Sequence, residues 1–197
     1  MGDDGRRRLV VGISGATGII YGVRILGMLR AAGIETHLVV SKAGQLTRKY
    51  ETDLKSADLA AMADVNYAPG DVGAAIASGS FRTMGMIVAP CSVRTMSSIA
   101  GGTTGSLLTR AADVCLKERR RIVLLLRETP LHAGHLRSML AITEMGGIIM
   151  PPVPAFYTRP KTIDDLVDMT AARALDLFDV DVPGVPRWGE TPEPPRD

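Results

Sequence analysis

Residues Arg110 to Pro130 read RAADVCLKERRRIVLLLRETP, and this stretch decides the fold class. Charged residues recur at helical spacing over 110–117, and a wholly apolar run from Ile122 to Leu126 then predicts a buried strand. The strand leads straight into a charged pair, Arg127 and Glu128. Ligands of an open parallel sheet bind beyond the carboxyl ends of its strands, so this pair is the first candidate for a functional site.

Apolar strands and helical patterns alternate on both sides of this stretch. Further strands are predicted at Leu9–Ser14, Glu35–Ser41, Val65–Tyr67, Met84–Ala89 and Gly147–Met150. Helices are predicted between them, one of them over Asp71–Ala77. The alternation indicates an α/β fold: three layers, flavodoxin-like or Rossmann-like, with a mainly parallel sheet. We expect a single domain over 9–180, with a flexible N-terminal tail over 1–8 and a proline-rich tail over 181–197.

Composition narrows the classes of function. The chain has 197 residues, of which 46% are hydrophobic and 22% charged, as in an ordinary globular protein. Its 23 basic and 21 acidic residues give a net charge of +2, too small to favour a nucleic-acid partner. No apolar run reaches the length of a membrane span or a signal peptide. With only two cysteines, we expect neither a disulfide framework nor a metal site, and a cytoplasmic location.

A glycine-rich loop, GISGATG over 12–18, joins the first strand to a helix. Glycines let the backbone approach a ligand closely, and a helix N-terminus offers N–H groups and a partial positive charge to a phosphate. The loop therefore predicts a phosphate site, with a tight turn that binds no ligand as the alternative.

The end of the second strand indicates which nucleotide such a loop would serve. Dinucleotide folds usually place an acid there to bind a ribose, whereas this strand ends in Ser41. Ser41 suits the phosphate or flavin edge of a mononucleotide, although helix capping explains it equally well. Glu51 closes the next helix, and a surface acid is the alternative interpretation of that residue.

Two further groups of reactive side chains are weaker candidates. Cys91 follows a strand and could be a nucleophile, but a small buried residue is the better interpretation since no histidine lies nearby in the sequence. His132 and His135 have the spacing of metal ligands, but two ligands without a third make a poor site.

Taken together, the strand ends and nearby helices carry many cations and hydroxyls and few acids. This set predicts an anionic and phosphorylated ligand, and two phosphates would explain the number of cations better than one. The strand ends contribute Thr17, Ser41, Ser92, Arg127, Glu128 and Tyr157, and the helices contribute Arg110, Lys117 and Arg173.

Motifs along almost the whole chain, from about residue 8 to 190, resemble those of the UbiX-type flavin prenyltransferases. The most specific are LLTRAADVCLKERR followed by RETPLHAGHL. The others are GISGATGIIYGVRIL, THLVVSKAGQ with YETD, SGSF, MIVAPCSVRT, IIMPPVPAFYTRP and PRWGE.

The resemblance implies a flavodoxin-like, homododecameric enzyme that needs no metal. Such enzymes transfer a dimethylallyl group from dimethylallyl monophosphate to nitrogen-5 of reduced FMN and close a fourth ring at carbon-6. The product, prenylated FMN, is the cofactor of a partner UbiD-type decarboxylase. A non-catalytic flavin-binding decarboxylase subunit and an FMN-dependent cysteine-type decarboxylase remain the alternatives.

The resemblance also assigns roles to residues. Catalytic positions are Glu51, Arg110, Lys117 and Glu128, with Glu128 as the acid that protonates the departing phosphate and Glu51 as a possible base. FMN contacts are Gly15, Ala16, Thr17, Ser41, Ser92, Val93, Arg94, Thr95 and Arg127. Substrate contacts are Lys117, Tyr157, Arg173 and Trp188. The chain departs from the usual family pattern at Thr17, in the loop over 102–106 and at Arg137-Ser138.

Overall fold

The computed structural model describes residues 5 to 185, in which six parallel strands form one sheet flanked by helices. The strands are β1 (Arg8–Ile13), β2 (Glu35–Val40), β3 (Val65–Tyr67), β4 (Gly85–Cys91), β5 (Arg121–Leu126) and β6 (Ile148–Ile149). The helices are α1 (Ile19–Ala31), α2 (Lys42–Glu51), α3 (Ser56–Ala60), α4 (Val93–Ala100), α5 (Leu107–Lys117), α6 (Ala133–Glu144) and α7 (Ile163–Asp176). This confirms the predicted single-domain α/β class for the described residues.

The strand order is β3-β2-β1-β4-β5-β6. Strands β1 to β3 follow one another toward one side of the sheet and β4 to β6 toward the other, so the order of the strands reverses between the parallel neighbours β1 and β4. Ser14 ties the two strands together there: its hydroxyl donates to the Pro90 carbonyl over 3.0 Å and accepts from the Ser92 amide over 2.8 Å. The carboxyl ends of β1 and β4 are therefore held at a fixed distance. A reversal of this kind creates the crevice in which open α/β sheets bind ligands.

Two apolar clusters fill the space on the two faces of the sheet. One packs Leu9, Val11 and Ile13 of β1 against α1 and α7. The other packs Met86 and Val88 of β4 against α4 and α5. The central strands are buried on both faces, which explains why they read as continuous apolar runs rather than as alternating ones.

Most predicted elements are present, with one clear error. The helix predicted over 71–77 is wrong, since only a single 3₁₀ turn at Ala75–Ala77 forms there. Gly70 and Gly73 lie in this segment and lower its helix propensity. β4 runs two residues past the predicted end at Ala89, to Cys91.

Among residues 5–185, no helix is long and apolar enough to cross a membrane. Residues 1–4 and 186–197, and with them Trp188 and most of the predicted C-terminal tail, lie outside the described part of the chain.

Candidate functional site

A cavity with a volume of about 460 Å³ opens at the carboxyl ends of β1, β2 and β4. We call it the carboxyl-edge cavity. Its wall includes Gly15, Ser41, Ser92, Arg94 and Thr95, five of the residues expected to contact a flavin. The structure thus brings together predicted residues that lie up to 80 positions apart in the chain.

Three helices begin at the wall of this cavity. Each is capped by a serine hydroxyl that accepts an amide hydrogen of the first turn: Ser41 from Gly44 at 3.0 Å, Ser92 from Thr95 at 3.3 Å and Ser106 from Thr109 at 3.3 Å. Helix N-termini carry partial positive charge and unpaired N–H groups. Because α2, α4 and α5 all start here, the cavity is suited to an anion such as a phosphate.

Several lining residues were not anticipated from the sequence. Lys42 adds a cation beside Ser41, and Ser98 and Thr103 add hydroxyls. Thr103 and Ser106 belong to the loop that departs from the family pattern, so the altered loop is part of the wall. Lys42 directly follows Ser41, which is the one local signal in the sequence that could have pointed to any of these three residues.

The glycine loop differs from its predicted role. Gly15 is required because a Cβ there would lie 2.3 Å from the Ala43 Cβ, and Gly18 has a φ of 97°. The amides of Gly18 and Ile19 donate to the Glu51 carboxylate, at 2.9 Å each to Oε2. The N-terminus of α1, where the sequence predicts a phosphate, is therefore occupied by an acid of the chain itself. Glu51 is exposed, as expected for a surface acid, but its carboxylate accepts hydrogen bonds from the N-terminus of α1.

Arg127 and Glu128 emerge from β5 at the same edge of the sheet. The Arg127 amide donates to the Cys91 carbonyl over 2.9 Å, and its Nε donates to the Thr17 carbonyl over 3.2 Å. Arg127 therefore lies against the glycine loop. Glu128 is exposed. Among residues 5–185, its carboxylate accepts one local hydrogen bond, from the Thr129 amide at 3.1 Å.

Tyr157 and Arg173 line a second cavity, with a volume of about 440 Å³, between the loop after β6 and α7. Apolar side chains such as Met150 and Val153 form much of its wall. Arg173 is 63% exposed, and its Nη1 lies 3.7 Å from Asp176. The two cavities have no described lining residue in common.

Arg110 and Lys117 both lie on α5 but point to different places. Arg110 is held by the Ala77 carbonyl at 3.2 Å and by Asp113 at 2.7 Å. Lys117 ends α5 next to the start of β5, at the amino edge of the sheet, and forms an ion pair with Glu118. The length of β5, roughly 17 Å at 3.3 Å per residue, separates it from Glu128. Within one copy of the chain, Lys117 and Glu128 therefore lie at opposite edges of the sheet.

The reactive groups that the sequence made weak candidates stay outside the site. Burial raises the pKa of the Cys91 thiol, which has no exposed surface, so Cys91 is the small buried residue that was favoured. The rings of His132 and His135 stack at 3.6 Å, and the His132 Nδ1 accepts from the Gly134 amide. Within residues 5–185 no three histidines, cysteines or acids are grouped as metal ligands.

Comparisons with known proteins agree with this geometry. The family model described as Flavoprotein matches residues 1–175. The flavin prenyltransferase UbiX of Neisseria meningitidis is 54% identical over 182 residues, which cover 92% of this chain and 96% of the relative.

Two solved structures are similar in sequence and in fold. AnUbiX (PadA1) in complex with FMN and dimethylallyl pyrophosphate superimposes with a TM-score of 0.92 at 50% identity, covering 93% of this chain and 98% of that one. A dodecameric FMN-dependent UbiX-like decarboxylase from Escherichia coli O157:H7 gives a TM-score of 0.90 at 49% identity, covering 92% and 98%.

Proposed function

The chain belongs to the Flavoprotein family, within which its relatives are UbiX flavin prenyltransferases, and on this premise we propose the reaction that it catalyses. It is a flavin prenyltransferase that transfers a dimethylallyl group from dimethylallyl monophosphate to reduced FMN. The product is prenylated FMN, and a UbiD-type decarboxylase is its recipient. The observation that carries the proposal is the meeting of three helix N-termini at the carboxyl-edge cavity.

FMN fits the donors of this cavity. Its volume of about 460 Å³ falls within the range of roughly 300–1,000 Å³ that is usual for small-molecule sites. The helix starts, Lys42 and Arg94 supply hydrogen-bond donors and positive charge for the FMN phosphate, and Ser41 and Ser92 supply hydroxyls. When bound, reduced FMN supplies the electron-rich nitrogen-5 that accepts the dimethylallyl group.

The site is completed by neighbouring copies of the chain. The proposal assigns the dimethylallyl phosphate to Tyr157, Arg173 and Lys117. Within one copy, however, Tyr157 and Arg173 line the second cavity, and Lys117 lies at the amino edge of the sheet. An oligomer reconciles these positions, because a neighbouring copy can present its own Lys117 or Arg173 to the carboxyl edge. A dodecameric relative supports a dodecamer of this chain as well.

The charges suit the departure of phosphate from an allylic carbon. Positive charge develops on the carbon and negative charge on the phosphate oxygen as the bond breaks. Lys117 and Arg173 stabilise the leaving oxygen, Tyr157 orients it, and Glu128 donates a proton to it. Arg110 adds a further cation. The proton lost from carbon-6 at ring closure passes to Glu51 or to the released phosphate.

The remaining assignments follow the same proposal. Ala16, Thr17, Val93 and Arg127 complete the contacts to FMN. Trp188, in the tail that begins at residue 181, contacts the substrate, and residues 9–180 form the flavoprotein domain. The buried, unpaired thiols of Cys91 and Cys115 support a reducing compartment, the cytoplasm.

A direct test is to incubate the purified protein with reduced FMN and either dimethylallyl monophosphate or dimethylallyl diphosphate. The mass of the extracted flavin should rise by one dimethylallyl group with the monophosphate. A protein shown to bind FMN that leaves its mass unchanged with both donors would refute prenyl transfer and favour a non-catalytic flavin carrier.

A further inference from the structure

A third cavity lies at the amino edge of the sheet, opposite the carboxyl-edge cavity. Its volume is about 660 Å³. Its floor is formed by five apolar side chains: Met84, Leu116, Met145, Ile148 and Phe178. Four arginines stand at its rim: Arg7, Arg119, Arg120 and Arg121. We call it the amino-edge cavity. None of the roles assigned to the prenyl-transfer reaction falls on these residues.

Two of the arginines at the rim, Arg120 and Arg121, are fixed in place without losing their charge. Arg120 donates to the carbonyls of Gly79 at 2.5 Å and Phe81 at 2.6 Å, and Arg121 donates to the Leu177 carbonyl. A carbonyl accepts a hydrogen bond but, unlike a carboxylate, brings no full negative charge. The guanidinium groups are therefore positioned by the fold and stay cationic.

Few acids oppose these cations. Asp179 is the one carboxylate among the described lining residues, and its Oδ2 lies 3.5 Å from Arg121. The Asp179 side chain is 89% exposed, so water screens much of its interaction. Glu118, the nearest acid in sequence, forms an ion pair with Lys117 and interacts more weakly with the charge of Arg120. The amino-edge cavity therefore keeps an excess of positive charge over an apolar floor.

Arg119 has a backbone conformation that is unfavourable for any residue other than glycine. It follows α5 with a φ of 56°, while its amide donates to Leu116 and the next amide donates to Cys115. This is a helix end at which glycine is strongly favoured, because other residues meet a steric cost there. Within residues 5–185 the Arg119 side chain forms no hydrogen bond or ion pair, although it lines the cavity. A strained residue that retains a charged side chain over a cavity points to a ligand.

We propose that the amino-edge cavity binds a phosphate monoester whose organic part is apolar. Arginines bind phosphate oxygens in a bidentate fashion, and the apolar floor fits the organic part. The alternative is that the arginines only neutralise the negative C-terminal ends of α5 and α7. The proposal does not depend on prenyl transfer, because the two cavities share no lining residue and no residue that lines this one has a role assigned in that reaction.

The probe for this site is 1-naphthyl phosphate, titrated calorimetrically into protein already saturated with FMN. We expect one site per chain, with weaker binding of 1-naphthol and of inorganic phosphate. Arg119→Gly and Arg119→Gln should each weaken binding about tenfold or more, the usual effect of losing a charged hydrogen bond. Arg119→Gly should also raise Tm, since glycine adopts this conformation without strain. Arg137→Gln, an exposed arginine on α6, is the matched control and should bind the probe normally.

Three results would overturn the proposal. The first is equal affinity of Arg119→Gly and the unaltered chain, which would leave the arginines with a structural role alone. The second is binding that disappears when FMN is present, since the probe would then report the carboxyl-edge cavity. The third is inorganic phosphate binding as tightly as the ester, which would give the apolar floor no part in recognition.

Discussion

The two edges of the sheet are both electropositive, but for different physical reasons. At the carboxyl edge the positive potential comes from backbone N–H groups, where α2, α4 and α5 begin at one cavity. At the amino edge it comes from side chains, with four arginines around a cavity near the ends of α5 and α7. A net charge of +2 reveals neither edge.

This difference determines how each edge responds to mutation. A potential made by backbone dipoles depends on the helices staying in place, so a single side chain changes it little. A potential made by guanidinium groups can be removed one substitution at a time. The groups that we propose as catalytic are divided in the same way, since Glu128 lies at the carboxyl edge and Lys117 at the amino edge. The predictions below test that division.

The largest effect is expected for Glu128→Gln. Loss of a general acid typically slows a reaction by about 10²–10⁴-fold, so kcat of prenyl transfer should fall within that range. The affinity for FMN should be unchanged, because Glu128 does not line the carboxyl-edge cavity. Single-turnover flavin mass analysis and FMN titration measure the two quantities. Glu144→Gln, an exposed acid at the end of α6, is the control, and a fully active Glu128→Gln enzyme would refute the acid role.

Lys117→Met tests whether the two edges meet between copies. Loss of one charge-stabilising donor should lower kcat by about 10²–10³-fold. Co-expression with Glu128→Gln should then restore activity, because about one quarter of the shared sites in a random mixture combine an intact Glu128 with a neighbour's intact Lys117. Activity is measured on the purified mixed oligomer. A mixture no more active than its parents would contradict a shared site.

Ser106→Ala tests whether the helix starts bind the flavin phosphate. Loss of a capping hydroxyl costs about 0.5–2 kcal/mol of stability, and it should also weaken FMN binding several-fold. Thr162→Ala is the matched control, because Thr162 caps α7 by the same capping box away from the carboxyl-edge cavity. Urea unfolding and FMN titration give both quantities. Equal FMN affinities in the two variants would exclude a role for the α5 N-terminus.

The smallest effect is a pH dependence of stability from His37 of β2. Its ring is 2% exposed and bonded to Glu35 and Tyr67 at 2.9 Å each, with Arg8 and Asp64 nearby. Burial lowers the pKa of His37 from 6.5 despite the Glu35 carboxylate. As the pH falls, His37 therefore takes up a proton in the unfolded chain before it does so in the folded chain. The contribution of the neutral ring to stability is complete above pH 6.5 and is lost as the pH falls below that value.

Urea unfolding at pH 7.5 and at pH 5.5 measures this contribution. The free energy of unfolding should fall between the two values in the unaltered chain and should change less in His37→Gln. Hydrogen bonds lower the pKa of Asp64, and those from Arg8 and His37 outweigh burial for Glu35, so both carboxyls titrate below this window. An unchanged slope in the variant would assign the effect to another group.

Most of the fold was predictable because buried strands read as short apolar runs and most helices as patterns of helical period, the helix expected over 71–77 being the exception. Strand ends were predictable for the same reason, and Ser41, Ser92 and Arg94 do line one cavity. The position of Lys117 was also open to prediction, since the end of a helix that leads into a parallel strand lies near the amino edge. Only the convergence of distant segments reveals Lys42 and Thr103 as wall residues.

The glycine loop shows why a motif alone was insufficient. Its glycines fit the predicted turn, and Gly15 allows the close approach of Ala43 while lining the carboxyl-edge cavity. The group at its helix N-terminus comes from Glu51, 32 residues beyond Ile19. No local pattern around the loop marks so distant an acid as its partner.

Glu51 also acts as a tethered competitor at the N-terminus of α1. A group held by the chain within reach of its binding site has an effective concentration of about millimolar or higher. A free phosphate would have to displace this carboxylate before it could use the amides of Gly18 and Ile19. The built-in occupant thereby disfavours a phosphate at the glycine loop, and the starts of α2, α4 and α5 at the carboxyl-edge cavity have no such carboxylate among their described capping groups.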